Sequence, residues 1–139
     1  MNTKVCQSII EVLEKYIKEG SSVPSQSEHK KKYDENKSLL ENELSIEHCM
    51  SFNWITTIAF YAALHLVEGK LAEYDIHSKS HTARENMVNM QREFKNIRSK
   101  YKYLHTKSIV ARYAGESITK TKAEDALKYL SDIEKEIIL

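Results

Sequence analysis

The chain contains 139 residues, of which 41% are hydrophobic and 29% are charged, and its net charge at pH 7 is +1. This composition excludes a disordered chain, and the length suits a single domain over residues 1–139 with one substantial core. Because Gly and Pro are scarce while Glu, Lys, Leu, Ile and Ala are abundant, the sequence predicts an all-α fold.

Two helices are predicted before the most apolar part of the chain. Apolar residues at helical spacing predict a helix over residues 3–19, which Gly20 ends. Ser25 and Glu28 have the spacing of a capping box and start a second helix, which runs to about Leu44. The apolar side of this second helix is thin, which predicts a position at the periphery of the fold.

The third predicted helix, over residues 45–74, is the most apolar element of the sequence. Between Trp54 and Val67 it is apolar on nearly all sides, which predicts a buried central helix. Gly69 provides a small surface where another helix can approach closely. The apolar run is about 14 residues long, shorter than the roughly 20 residues that a bilayer requires, so we expect no contact with a membrane.

Polar residues 75–81 form a connector to the second half of the chain. A helix to Phe94 follows it, and a helix over 97–113, ended by Gly115, either continues from there or begins after a break. Two capping-box pairs start the first and the last helix of this half: Thr82 with Glu85, and Thr121 with Glu124. The whole pattern predicts an antiparallel up-and-down helical bundle of four to five core helices plus the N-terminal helix.

The cellular compartment is inferred from the cysteines and the N-terminus. Cys6 and Cys49 are too few and too far apart for a disulfide framework, which predicts two reduced thiols. The N-terminus lacks the apolar block of a signal peptide. Both features favour a cytoplasmic protein.

Most of the positive charge is concentrated in one stretch. From Arg92 to Arg112 there are seven Lys or Arg and one acidic residue, Glu93, which gives a local net charge of +6. Residues spaced by three, four or seven lie on one side of a helix. We call five such residues the basic stripe: Lys95, Arg98, Lys102, His105 and Arg112. A line of cations with an imidazole can bind phosphate or RNA, or stabilise a phosphoryl-transfer transition state, and a solvated helix face is the alternative.

The predicted central helix also contains polar side chains within its apolar stretch. A buried charge requires a partner, and we expect Arg112 to meet Glu68 through a forked contact. The sequence therefore predicts an internal polar cluster of five residues: Tyr61, His65, Glu68, His81 and Arg112. This cluster either fixes the register of two helices or forms the floor of a ligand pocket.

No metal ion or cofactor is predicted. His77 and His81 supply only two ligands, and no further pair stands at a suitable spacing. The sequence contains neither a Gly-rich phosphate loop nor a recognisable nucleophile turn. Tyr101, Tyr103 and Tyr113 alternate with the basic residues, so these rings are candidates either for base stacking or for the edge of the core.

Two segments give the chain a resemblance to the HEPN superfamily of compact helical bundles: WITTIAFYAALHLVEGKLAEYDIHSKSHTAR (54–84) and YKYLHTKSIVARY (101–113). The first is similar to the family's long bundle helix, in which an aromatic–Ala–Ala–Leu–His run precedes a His-containing loop. The second is similar to the helix that holds the functional motif. The resemblance covers about residues 26–138, and residues 1–20 look like an addition to that bundle.

The resemblance implies an endoribonuclease if the family's motif is present. Active members cleave RNA without a metal, often as toxins or defence effectors, and work as homodimers in which an arginine and a histidine four to six residues later meet at the interface. Arg98 and His105, separated by SKYKYL, satisfy this pattern as a catalytic pair, although Ser99 stands where Asn is common.

A second alignment implies the loss of that motif. It matches Ala111 and Tyr113 without gaps to members that end in Ala-Asp-Tyr, so the motif arginine falls on Ser108 and the histidine is absent. Because this alignment is slightly better, we expect a noncatalytic or weakly active homodimeric module that binds RNA or another anionic ligand. Its setting would be prokaryotic defence or a toxin–antitoxin pair with a cognate antitoxin or other partner protein. The alternatives are an endoribonuclease that uses Arg98 and His105, and a structural, partner-binding bundle without enzymatic activity.

Overall fold

A computed structural model of the chain describes residues 23–114 and 116–139. The helix predicted over 3–19, its end at Gly20, Cys6 and the helix end at Gly115 lie outside these residues. Within the described part there are five α-helices and no strand, which confirms the all-α prediction. The helices are α1 (Gln26–Ser38), α2 (Phe52–Ala72), α3 (His81–Met90), α4 (Arg98–Tyr113) and α5 (Lys120–Glu136).

The four long helices alternate in direction along the chain. The first turn of α1 lies beside the end of α2, because the Gln26 amide donates a hydrogen bond to Glu73. At the other end, Asn53 in the first turn of α2 donates to the carbonyl of Ala111 and accepts from the backbone N–H of Ile118. The end of α4 and the approach to α5 therefore lie beside the start of α2. This arrangement is the predicted up-and-down bundle, to which α3 is added as a short fifth helix.

The centre of the bundle is α2. Every residue from Ile55 to Gly69 is buried, and α2 packs against α1, α4 and α5, as its apolar sequence predicted. A Cβ atom at Gly69 would lie 2.6 Å from Leu139 Cδ1 and 3.4 Å from His29 Cβ. The tight approach at Gly69 is thus made by Leu139, whereas His29 of α1 would be in ordinary van der Waals contact with an added Cβ.

The prediction that the second helix is peripheral is wrong. This helix is α1, and it packs against α2 through a side that buries His29, Lys32 and Asn36. Because the buried side is polar, the apolar pattern that predicts burial is absent from the sequence. A π-helical turn over Leu39–Glu43 follows α1, and the chain leaves the helix at Leu44, which agrees with the predicted end.

Three predicted helix starts differ from the observed ones. The central helix begins at Phe52 and not at residue 45, because the chain first turns at Ser45, whose carbonyl accepts from the N–H groups of His48 and Cys49. The N-caps of α3 and α5 are Ser80 and Thr119, two residues before the predicted capping residues in both cases. In each cap the hydroxyl accepts a backbone N–H of the first turn.

The helices α3 and α4 are separate elements. α3 ends at Met90, and Gln91 then adopts an extended conformation with φ −78° and ψ 132°. A short 3-10 helix over Arg92–Phe94 precedes α4. The break allows α3 to lie against the side of α4 that carries the basic stripe. In the part of the chain described, no helix combines the length and the apolar character that crossing a membrane demands.

Candidate functional site

Four residues of the basic stripe lie along one side of α4, next to the side that faces the core, whereas Lys95 lies in the turn before this helix. Tyr101, Leu104 and Ser108 are the buried residues of α4. Arg98, His105 and Arg112 are half-buried on the adjoining side, whereas Lys102 and Lys95 are exposed. The stripe therefore borders the region where α2, α3 and α4 meet.

Arg98 is engaged at the end of α3. Its Nε donates to the carbonyl of Val88 at 2.9 Å, and its terminal nitrogen donates to the carbonyl of Gln91 at 3.0 Å. Carbonyls at the C-terminal end of a helix have no partner within that helix. The Arg98 guanidinium supplies a donor for Val88 and adds a second one to the Gln91 carbonyl, which also accepts the backbone N–H of Phe94. It thereby joins the start of α4 to the end of α3.

The His105 imidazole is held among aromatic rings. It stacks on Phe60 with ring centroids 5.0 Å apart and an angle of 14° between the planes. The His81 ring lies 5.2 Å away, and Glu85 Oε2 is 3.8 Å from His105 Nδ1. Only 14% of the His105 side chain is exposed. The ring therefore has a fixed orientation and a small opening to solvent.

Both imidazoles of this pair are neutral at pH 7. Burial lowers the pKa of His105; the Glu85 carboxylate opposes this effect, and the charges of Arg112 and Arg84 add to it. Burial, together with the charge of Arg84, lowers the pKa of His81 to about 4. A neutral imidazole can accept a proton, so the His81–His105 pair has the protonation state that a general base requires. Arg98 is not among the charges that act on either pKa.

The Arg112 guanidinium lies near two tyrosine rings. Its guanidinium carbon is 5.6 Å from the ring centroid of Tyr61 and 5.1 Å from that of Tyr113. It donates to the Tyr61 hydroxyl at 2.9 Å, to the Ser108 carbonyl at 3.1 Å and to the Ser108 hydroxyl at 3.4 Å. A guanidinium has five N–H donors, so two of them have no partner in the described part of the chain. These two donors are available to an anionic ligand.

The predicted contact between Arg112 and Glu68 is wrong. Glu68 Oε1 instead accepts from Arg84 Nε on α3, at 2.6 Å, and from the hydroxyl of Ser78. Tyr61, the partner of Arg112, is seven residues before Glu68, which is about 10 Å along a helix axis. Arg112 is therefore too far along α2 to reach the carboxylate. Burial raises the pKa of Glu68, although the Arg84 charge and hydrogen bond oppose this.

His65, the third residue of the predicted cluster that lies on α2, has its partner on α1. His65 Nδ1 lies 3.1 Å from His29 Nδ1 on α1. Burial lowers the pKa of His29 to about 4 and that of His65 well below its usual value, and each of the two rings also lies near the Arg84 charge. The predicted internal cluster thus consists of three neighbouring contacts: Tyr61 with Arg112, Glu68 with Arg84, and His65 with His29. His81 joins the second through a contact of 2.9 Å between its Nδ1 and Arg84.

Several site residues were not found from the sequence. Arg84 could have been found from the sequence, because it follows His81 by one helical turn and is the only cation of α3. His29 and Ser78 could not have been found in this way, since each lies in a polar stretch whose burial is not indicated by any apolar pattern. Asn53 was also missed; its partners are backbone groups of residues 111 and 118, which no side-chain pattern encodes.

The described residues contain no metal centre. No three His, Cys, Asp or Glu side chains of 23–114 and 116–139 are placed so that they could hold a metal ion. What the site brings together is two neutral imidazoles, a guanidinium with unused donors and exposed lysines. Comparisons with protein-family models, curated proteins and solved structures gave no match to this chain.

Proposed function

We propose that this protein binds RNA along the basic stripe, as a noncatalytic or weakly active HEPN-like module in a prokaryotic defence or toxin–antitoxin setting. The observation that carries the proposal is the half-buried Arg112 guanidinium, with two donors left for a ligand. An arginine that is oriented by other contacts binds phosphate with little further loss of conformational entropy.

Exposed cations at and before the start of α4 support an anionic ligand. Lys102, Lys95 and Arg92 are exposed, and none of them forms an ion pair within the described part of the chain. By contrast, Lys100, on another side of α4, lies 3.6 Å from Asp132 of α5. The charges of these three residues are therefore not neutralised by ion pairs with described residues, and they can attract the phosphates of a nucleic acid.

The experiment measures the affinity for a single-stranded RNA as a function of salt concentration. Each phosphate contact contributes a slope of about −0.7 in a plot of log K against log salt for single strands. The double variant Lys102→Gln/Arg112→Gln should weaken binding and reduce the slope by roughly 1.4. The matched control, Lys128→Gln/Lys135→Gln, removes the same charge from exposed positions of α5. We expect the control to bind like the wild type.

Two results would count against the proposal. If the wild-type chain binds no RNA at low salt, the structural, partner-binding role is favoured instead. If both double variants lose affinity equally, binding depends on overall charge and not on the stripe.

A second candidate function is cleavage of the bound RNA, and the observation that favours it is the His81–His105 pair. In this reaction His105 removes the proton of a ribose 2′-hydroxyl, the 2′-oxygen bonds to phosphorus, and the bond from phosphorus to the 5′-oxygen breaks. The leaving oxygen takes up a proton, and the products carry a 2′,3′-cyclic phosphate and a 5′-hydroxyl. Arg112 is the better candidate to stabilise the phosphate, because its charge is among those that lower the pKa of His105, whereas the charge of Arg98 is not.

The cleavage candidate is tested with RNA in the presence of EDTA. We expect His105→Gln to abolish any cleavage, and His48→Gln, a change at an exposed histidine outside the site, to preserve it. Substrate with a 2′-deoxy sugar at the cleaved position should remain intact. If His105→Gln cuts at the wild-type rate, His105 is not the catalyst and the cleavage candidate fails, while RNA binding stands.

The homodimer and the cognate antitoxin are also proposed, on the resemblance to the family alone. Sedimentation velocity over a range of protein concentrations tests the dimer. A sedimentation coefficient of a 16.2 kDa monomer at every concentration would contradict it.

A further inference from the structure

Tyr113 is the most solvent-exposed large hydrophobic side chain on α4. It is the last residue of that helix, and 75% of its surface is accessible. Exposure of a large aromatic ring is unfavourable unless the ring has a partner. Ile109, one turn earlier, is also exposed. This end of the stripe therefore combines an open aromatic ring with a neighbouring apolar side chain.

The Tyr113 ring is held from one side. The Arg112 guanidinium carbon lies over it at 5.1 Å, and Arg112 is itself fixed by its bonds to Tyr61 and Ser108. A cation over one face of an aromatic ring attracts the ring's electrons. The guanidinium therefore restricts the ring, while most of the Tyr113 surface is open to solvent.

We infer that Tyr113 is a stacking platform for one unpaired base of single-stranded RNA, with Arg112 on the other face of its ring. This inference rests on the proposed RNA binding and specifies which form of RNA is bound. Proteins that bind single strands combine a cationic track for the backbone with aromatic side chains for the bases. The stripe supplies the track, and Tyr113 supplies the ring.

Single strands are specified because a base in a duplex cannot reach this ring. In an A-form duplex the bases are stacked on one another, and only the edges in the shallow groove are accessible. Tyr113 stands at the end of α4 and would meet only the backbone of a duplex. Stacking on a tyrosine face also tolerates any base, so little sequence preference is expected.

The test compares Tyr113→Leu and Tyr113→Trp with the wild type. Loss of one stacked base should weaken binding of a single-stranded oligonucleotide by roughly 5- to 100-fold in Tyr113→Leu. Tyr113→Trp should bind at least as tightly as the wild type, and a duplex of the same length should bind weakly to all three. The control is Tyr74→Leu, which removes an exposed tyrosine outside α4. A 2-aminopurine base in the oligonucleotide reports stacking directly, because its fluorescence is quenched by the wild type and should not be quenched by Tyr113→Leu.

The outcomes separate this inference from the proposed function. If Tyr113→Leu binds single strands as tightly as the wild type while Lys102→Gln/Arg112→Gln does not, stacking is overturned and RNA binding along the stripe stands. Equal affinity for duplex and single strand also overturns the inference alone. If Tyr113→Leu abolishes a dimer and leaves RNA affinity unchanged, the ring belongs to a protein interface. Absence of RNA binding by the wild type at low salt removes both proposals together.

Discussion

Arg84 Nε lies 2.6 Å from Glu68 Oε1 in the interior of the protein, where only 5% of each side chain is exposed. This ion pair joins α3 to the central helix. It also gives the buried Glu68 the partner that a charge in a core requires, because an unpaired carboxylate would be strongly destabilising there.

Removal of Arg84 should therefore destabilise the protein severely. In Arg84→Met the Glu68 carboxylate is left without its cation, and we expect the free energy of unfolding to decrease by about 3–5 kcal/mol. The double variant Arg84→Met/Glu68→Leu should recover most of that loss, since neither charge of this pair remains. Urea-induced unfolding measures the free energy of unfolding of both variants. As a control, Lys30→Met breaks the exposed Lys30–Asp34 pair and should change the free energy of unfolding by less than about 0.5 kcal/mol. A small effect of Arg84→Met would contradict the account of this pair.

The sequence was sufficient to predict the helical architecture, because the fold depends on one unusually apolar helix. The run from Trp54 to Val67 predicted α2 and its central position, and the residues of α4 and α5 that face it follow a regular spacing. Boundaries were less accurate. Ser80 and Thr119 act as caps although Thr82 and Thr121 had the better capping-box pattern, since the first polar residue that satisfies the helix N–H groups is sufficient to start the helix.

The candidate site was predicted only in part, for a physical reason. Positions on one helix follow from its periodicity, so the basic stripe on α4 was visible in the sequence. Contacts between helices depend on axial position to within a few ångströms, which periodicity does not provide. The assignment of Arg112 to Glu68 was wrong for this reason, and the contact between His29 and His65 was not foreseen.

Stability should decrease in mildly acidic solution because of the buried histidines. The pKa of His29 is lowered to about 4 by burial and by the charges of Arg84, His77 and Lys32, whereas the unfolded chain binds the proton near 6.5. The unfolded state therefore holds more protons than the folded state between these values, and the free energy of unfolding should decline as the pH falls from about 6.5 to about 4. His65 acts in the same direction. Glu68 acts in the opposite direction, because its pKa is raised above the usual value of 4.5. Its contribution to the free energy of unfolding is complete below that pH and decreases as the pH increases.

The variant His29→Gln tests this dependence. Its amide can still bond His65 but does not titrate, so urea midpoints measured between pH 7 and pH 4 should decrease less steeply than those of the wild type. His48→Gln alters an exposed histidine and should retain the wild-type slope. Wild-type stability that is constant over this range would contradict the prediction.

Arg98 should contribute to stability more than Lys102 does, although both belong to the basic stripe. Arg98→Ala removes the donors for the carbonyls of Val88 and Gln91, and hydrogen bonds from a charged donor are worth about 1.5–3 kcal/mol. Lys102→Ala changes an exposed residue and should have an effect within about 0.5 kcal/mol. Thermal unfolding measures the two variants side by side. Equal stabilities would show that the Arg98 contacts do not fasten α3 to α4.

Asn53 should be sensitive to the exchange of its amide for a carboxylate. Asn53→Asp keeps an acceptor for the N–H of Ile118, but it places a carboxylate oxygen opposite the Ala111 carbonyl, where the amide donated at 3.0 Å. The lost bond and the new repulsion should reduce the free energy of unfolding by about 1–3 kcal/mol. Asn86→Asp, at an exposed position of α3, is the matched control and should be nearly neutral. Unfolding of the two variants in guanidinium chloride provides the comparison. Similar denaturation midpoints would argue against a role for Asn53 at the end of α4.

The way in which α3 is attached has a consequence for access to the His81–His105 pair. Val88 is the only apolar residue of α3 that is fully buried, so this helix is held mainly by directional polar bonds, whereas α2 is surrounded by side chains on all sides. Segments with few buried apolar contacts open locally at a lower free energy than the core. Backbone amides of α3 should therefore exchange with deuterated water sooner than those of α2. Each such opening would carry His81 away and uncover the His105 ring, while the four long helices keep their places.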